Sequence, residues 1–263
     1  MEENKKRTEI ICKLEEIFRK RVFAIVYNPD IEEGIKNGDE KYIMHFIENV
    51  IKKEGIKECI IIFNGFGGNL QTAILCAYLL RQNIQKFECF VPSVIGSSLC
   101  YFAFLSDKLL MGNKSKLTQI DPIFNYMGEE LRAIKYLSEQ KDSEKRILAH
   151  QFFNPVLENL RNILYNEPHV FIDVVSRKKK VRIDYIGKLV DLFMGGEFHE
   201  SGLSAEELKE LKINVSILGN ETVEIANLLI KKCREELAEE GARFVIQTNK
   251  IEDEKYDGGY FHF

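Results

Sequence analysis

Two apolar runs that each end in a cluster of small residues constrain this chain more than any other feature. Cys59 to Phe63 runs into Asn64-Gly65-Phe66-Gly67-Gly68, and Phe87 to Val91 breaks at Pro92 and reaches Gly96-Ser97-Ser98. Apolar residues at helical spacing follow each cluster, from Leu70 to Leu80 and on to Leu105, and a short run, Lys108 to Met111, closes the segment. Short, continuously apolar runs suit strands buried on both faces, and helices between them are crossover connections. The segment predicts β-turn-α-β-turn-α-β, and therefore an α/β fold with parallel strands. Both clusters then stand at strand C-termini, the edge where open α/β sheets place their chemistry.

The flanks extend this pattern. Ile10, Ile11, Leu14, Ile17 and Phe18 mark a helix over 7–20, and Val22 to Tyr27 reads as an edge or outer strand. Asn28 to Glu40 is polar loop, 41–53 is an amphipathic helix, and Gly55 is its expected C-cap. Helices are expected over 128–166, 182–194, 204–212 and 221–240, with Val215 to Leu218 as a last strand. Ser204 with Glu207 three residues on reads as a capping box. Residues 241–263 show no sustained period and read as a partly ordered tail. With no repeat and no linker, one domain is expected over 1–263, its core about 22–218 and a helix and tail over 219–263.

Composition narrows the function classes. A net charge of -4 offers no electrostatic case for nucleic acid or an anionic membrane, and the basic run Arg177 to Arg182 reads as solvated surface. Six cysteines without C-x-x-C spacing, most of them in apolar runs, predict buried reduced thiols and a cytoplasmic protein. The best membrane candidate, Cys89 to Leu105, is only 17 residues long and holds Pro92, Gly96 and three serines, so no spanning segment is expected. No pattern calls for a cofactor or a metal.

The two clusters suggest complementary chemistry. Gly65, Gly67 and Gly68 free backbone N–H groups and permit close approach, which suits an anion or oxyanion site as well as a plain tight turn. Neither G-x-x-x-x-G-K-[ST] nor G-x-G-x-x-G is present, which argues against a phosphate loop. A serine opening a helix is a candidate nucleophile, and taken alone it is more commonly a plain N-cap. On one edge of a parallel sheet, one turn would supply the nucleophile and the other the oxyanion donors.

From Cys59 to Phe124 the chain resembles the serine dehydrogenase proteinase family, a branch of the Clp protease/signal peptide peptidase A/crotonase superfamily. The resemblance lies in Asn64-Gly65-Phe66-Gly67-Gly68, Val91-Pro92-Ser93-Val94-Ile95-Gly96-Ser97-Ser98-Leu99-Cys100, Asp107-Lys108-Leu109-Leu110-Met111 and Thr118-Gln119-Ile120-Asp121-Pro122. A looser likeness covers Phe198 to Glu207. Phe66 stands where the family has Pro, Leu99 where it has Gly, and Cys100 where it has Thr, and the first and second of these bear on pocket shape.

The resemblance implies a Clp/crotonase-like spiral of βαβ units with additional C-terminal helices. It implies an ATP-independent serine peptidase cleaving peptides or unfolded protein segments, and a homo-oligomer. Ser97 would be the nucleophile, with Gly67, Gly68 and Ser98 as oxyanion donors. For the general base, Lys141 lies about 40 residues past the serine, with Lys135 and Lys145 as rivals, while His199 with Glu200 at a triad-carboxylate position is the other candidate. Two other classes stay open: an inactive oligomeric scaffold of the same fold, and a crotonase-like acyl-CoA enzyme using the oxyanion site without Ser97.

Overall fold

The computed structural model describes residues 2–28, 34–118, 123–126, 129–132, 202–210, 213–249, 253–256 and 259–262. Helix α1 (Glu2–Phe18) buries Ile11 and Leu14 and ends at Arg19, which turns the chain with a positive φ of 54°. Strand β1 (Arg21–Tyr27) follows and pairs in parallel with β2 (Glu58–Asn64), Arg21 opposite Cys59 and Val26 opposite Asn64. Between them α2 (Asp39–Phe46) continues through a π-helical turn, Ile47–Lys52, with Lys53 as its C-cap. Gly55, expected as the cap, stands two residues further on in left-handed backbone with a φ of +65°.

From β2 the chain winds on in one direction. Helix α3 (Leu70–Asn83) leads to β3 (Lys86–Val91), and α4 (Cys100–Leu105) leads to β5 (Lys108–Met111). Strand β3 is parallel to β2, β5 to β3, and β10 (Val215–Ile217) to β5. All three crossover helices lie on one face of the sheet. Ile43 and Phe46 of α2, Ala73 and Cys76 of α3, and Phe102 and Leu105 of α4 share a cluster with Phe23, Ile61, Cys89 and Leu109. Alternate strand residues, among them Val22, Ala24, Ile60 and Phe90, face the other way against α1 and the C-terminal helix Asn220–Glu240. Consecutive crossovers on one face, stepping to successive neighbours, make a single spiral of βαβ units. The α/β reading holds, and further helices do follow toward the C-terminus.

A second, smaller sheet lies at the site edge. Strand β4 (Val94–Ile95) pairs in parallel with β6 (Lys116–Leu117), and β6 pairs antiparallel with β9 (Leu203–Ser204). Ser204 caps the helix Ala205–Glu210 through the expected box: its backbone N–H and hydroxyl both reach Glu207, at 2.7 and 2.6 Å. The serine hydroxyl donating to the Glu207 carboxylate, and then its backbone N–H doing so, holds that acid below its ordinary pKa.

Three expectations are corrected. The segment after the C-terminal helix is no tail: Phe244–Gln247 forms β11, buried at every position, and pairs antiparallel with β1. Burial on both faces removes the alternation by which a strand of four residues is found in a sequence. β11 carries β13 (Gly259–His262) and β12 (Asp253–Tyr256) beyond it, in the sheet order β10-β5-β3-β2-β1-β11-β13-β12. Strand β1 is therefore interior rather than an edge strand. Finally, Glu129–Arg132, where a helix was expected to begin, is strand β8 of a hairpin with β7 (Ile123–Tyr126). Tyr126 pairs with Glu129, leaving a two-residue connection whose sequence, Met127-Gly128, carries the glycine that hairpin turns favour. The helix expected over 182–194, the remainder of 128–166 and the basic run Arg177 to Arg182 lie outside the described residues.

Candidate active site

The two clusters meet. Strand β2 ends on Asn64, whose side-chain amide donates to Ser93 Oγ at 2.9 Å and to the Val94 carbonyl at 3.2 Å. One residue on, Gly65 pairs with Ile95 in a parallel bridge, and the Gly96 N–H donates to the Gly65 carbonyl at 2.9 Å. The backbones are then in contact. A Cβ built on Gly96 would lie 3.2 Å from the Phe66 Cα, and one on Gly67 would lie 2.7 Å from the Ser97 Cβ and 3.3 Å from its Oγ. No side chain fits at position 67, whose φ of +113° also suits only glycine.

Ser97 occupies a strained turn. At the first position of the helical turn Ser97–Leu99 its φ is +48°, and it and Arg19 are the non-glycine residues with positive φ among the described residues. A non-glycine residue held there costs on the order of 1–3 kcal/mol, and its surroundings must over-determine it. They do so through the backbone: the Ser97 N–H donates to Thr118 Oγ1 at 3.0 Å, and the Leu99 N–H donates to the Gly96 carbonyl at 3.1 Å. Thr118 is itself fixed, its N–H on the Ile95 carbonyl at 3.0 Å and its own carbonyl accepting from Cys100 Sγ at 3.1 Å. A strand-to-helix elbow of this kind lifts a side chain out of the sheet edge. Ser97 is half-buried there, whereas Ser98 is 1% exposed and donates its hydroxyl to the Gly68 carbonyl at 3.2 Å.

A third segment, missed in the sequence, fixes the glycine turn from its other side. The Ile35 N–H donates to the Gly67 carbonyl at 2.8 Å, and the Asn69 N–H donates to the Ile35 carbonyl at 2.6 Å. With every described peptide bond trans, the Gly68 N–H points opposite to the Gly67 carbonyl, and so away from Ile35. Neither Gly68 nor Ser98 donates its N–H to an acceptor among the described residues. The turn then enters α3 through Asn69, whose side chain caps the Thr72 N–H at 2.9 Å.

The positions that depart from the family pattern, Phe66, Leu99 and Cys100, have distinct fates. Leu99 is buried with its Cδ1 against the missing Cβ of Gly65, so it fills space beneath the turn. Phe66 is 61% exposed at the rim. Cys100 is buried, and burial raises its thiol well above the ordinary value, with the hydrogen bond to Thr118 pulling the other way, so it stays a neutral thiol near pH 7.

The structure thus brings Ser97, Ser98, Gly67 and Gly68 together. Lys141, His199 and Glu200, with the rivals Lys135 and Lys145, lie outside the described residues. Among the described residues, no titratable side chain is hydrogen-bonded to the Ser97 hydroxyl. Nor do the described residues contain a cluster of acid, His or Cys side chains able to hold a metal ion, or a helix long and apolar enough to cross a membrane. Thr118 and Ile35 were legible only weakly: Thr118 acts through a backbone contact 21 residues away, and Ile35 sits in a polar loop.

No family model and no curated protein matches the chain. Among solved structures, it is similar to a lysine-to-alanine mutant of 1510-N membrane-bound stomatin-specific protease in complex with a substrate peptide. That match is 14% identical over 73% of this chain and 75% of the other, with a TM-score of 0.49. A serine-to-alanine mutant of the same protease is 15% identical over 77% of this chain and 81% of the other, with a TM-score of 0.47.

Proposed function

We propose that this chain is a serine peptidase in which Ser97 attacks the carbonyl of a peptide bond and backbone N–H groups hold the resulting oxyanion. The observation that carries this reading is the contact of the two turns. A serine held in left-handed backbone stands against a glycine that can bear no side chain, with a neighbouring N–H aimed away from its own support. An acyl-transfer site needs these elements: an accessible hydroxyl, and donors fixed before the charge develops.

In this reading Ser97 Oγ bonds to the carbonyl carbon, its proton passes to the base, and the carbonyl electron pair moves onto oxygen. The N–H groups of Gly68 and Ser98, with Gly67 beside them, accept that charge. Collapse expels the amine, which takes the proton from the base, and water then cleaves the acyl-serine by the same steps in reverse order. Lys141 is one assignment for the base and His199 with Glu200 the other. A lysine would have to be desolvated to be neutral near pH 7, and a histidine would need a carboxylate to orient it.

Peptides or unfolded segments are the substrates this reading assigns, because the family resemblance implies them and Phe66 stands exposed at the rim to meet one. Free, mostly buried thiols suit a reducing compartment. A homo-oligomer comes with the family resemblance, and sedimentation of the purified chain measures it directly.

A fluorophosphonate probe tests the assignment on the wild type and on Ser97→Ala. Labelling in the wild type that vanishes in Ser97→Ala supports it. Labelling that persists in the variant, or never occurs in folded wild type, sinks it. Lys141→Ala and His199→Ala, run side by side, identify the base by which one loses labelling.

A further inference from the structure

The glycine turn is supported from outside the sheet edge by a buried ion pair that reaches it from the end of the chain. Arg243, just before β11, makes a two-pronged contact through Nη1 and Nη2 with both carboxylate oxygens of Asp39 at the start of α2. The residues are 5% and 1% exposed. Arg243 Nη1 also donates to the Gly34 carbonyl at 2.8 Å, and Asp39 Oδ2 accepts the Lys36 N–H at 3.0 Å. The pair therefore grips both ends of the segment 34–36. That segment carries the Ile35 N–H that holds the Gly67 carbonyl, and its fit is tight: a Cβ on Gly34 would lie 2.0 Å from the Gly67 oxygen.

Resting on the serine-peptidase reading, we infer that Arg243 and Asp39 are positioning residues that set the Gly67–Gly68 peptide plane, and with it the direction of the Gly68 N–H. Neither touches the reacting atoms. Their effect passes through Gly34 and Ile35 to the Gly67 carbonyl, and across a trans peptide to the Gly68 N–H. Arg243 is suited to the task because its planar fork meets a carboxylate with two parallel bonds and still reaches a carbonyl, which a lysine cannot reproduce. The site then depends on docking of the C-terminal strand, although the candidate catalytic residues all precede it in the chain. Arg243 is anchored there by its own backbone, whose carbonyl accepts the Asn28 N–H at 2.8 Å.

The test combines two measurements on the full-length chain: the rate of fluorophosphonate labelling, and deuterium uptake of the segments spanning 34–37 and 66–70. Arg243→Gln should slow labelling roughly tenfold to a hundredfold, the cost of a displaced oxyanion donor. It should also speed exchange in both segments while β2 and β3 stay protected. Arg243→Lys should fall between Arg243→Gln and wild type. Leu229→Ala, a cavity on the opposite face of the sheet, should destabilise the protein and leave the labelling rate of the folded fraction unchanged. If Arg243→Gln does not fold, the neutral pair Asp39→Asn/Arg243→Gln takes its place with the same expectations. Wild-type labelling rates in the folded Arg243 variants, or equal slowing in Leu229→Ala, would overturn the positioning role. Absence of labelling in wild type would overturn the Ser97 reading instead, and unchanged exchange at 66–70 would then still refute the brace.

Discussion

The two turns at the site edge are built on opposite principles. The turn from Gly65 to Asn69 holds three glycines in five residues, and its shape is imposed from outside by Ile35 on one flank and by Ile95 and Gly96 on the other. The turn from Gly96 to Leu99 presents the proposed nucleophile on a side chain and stores strain at Ser97, held by the Thr118 hydroxyl beneath it. A donor surface made of backbone must be positioned by its neighbours, because it has no rotamer to adjust. A nucleophile can be positioned by its own φ and ψ. Substitutions in the two turns should therefore fail differently: on the serine side by losing a group, on the glycine side by gaining one.

The largest effect expected is Ser97→Ala, which removes the proposed nucleophile and should abolish labelling. Relief of the serine's role does not relieve the backbone, since alanine has the same difficulty at φ +48°. The melting temperature should therefore stay close to that of wild type. Next comes Gly67→Ala. Its methyl would sit 2.7 Å from the Ser97 Cβ in a backbone conformation alanine avoids, so both turns must shift. Labelling should fall by roughly 10²-fold, on the scale of a lost oxyanion donor. Stability should fall by about 1–3 kcal/mol in urea unfolding. A Gly67→Ala variant that labels at the wild-type rate would show that the glycine turn is only a tight connection, and the contrast between the turns would be lost.

How much of this could be read from the sequence follows the same division. The strand–cluster–helix order from Cys59 to Met111 was legible because each element is local and each run is long enough to show its period. The capping box at Ser204 and Glu207 was legible for the same reason, three residues apart. The meeting of Gly67 with Ser97 followed once both turns were placed on one edge of a parallel sheet. What the sequence concealed was non-local. Asp39 and Arg243 are single charges 204 residues apart, with no spacing to betray them. Strand β11 is four residues of unbroken burial, and β1 read as an edge because its second partner comes from the far end of the chain. The Asp257-Gly258 pair between Tyr256 and Gly259, which pair across the β12–β13 ladder, was the available hairpin signal in the segment read as a tail.

A smaller effect separates strain from chemistry. Thr118→Val keeps the shape of the side chain and removes the acceptor for the Ser97 N–H. A buried donor left without its partner costs about 1–3 kcal/mol, and since this one is only part-buried, urea unfolding should shift by no more than the low end of that range. If the elbow is held mainly by Thr118, labelling should slow as well. If Gly65, Ile95 and Gly96 suffice, only stability should change, and the serine turn would prove as dependent on backbone neighbours as the glycine turn.

The smallest effect concerns the thiols, and it reads out the packing beneath both turns. Burial pushes Cys59 and Cys233 up to about 12 and raises Cys76, Cys89 and Cys100 as well. Their ordinary value is 9.0. Between those values the unfolded chain has lost these protons while the folded chain keeps them, so stability contributed by the neutral thiols is complete below about pH 9 and declines as pH rises further. Near neutral pH the exposed Cys12 should be the one fast-reacting thiol among the six with a disulfide reagent. In Gly67→Ala the crossover helices α3 and α4 carry the strain, so Cys76 and Cys100 should become reactive before Cys233, which lies on the opposite face of the sheet. Equal rates for all three would mean that the damage spreads through the whole sheet, whereas the ordered result confines it to the face that builds the site.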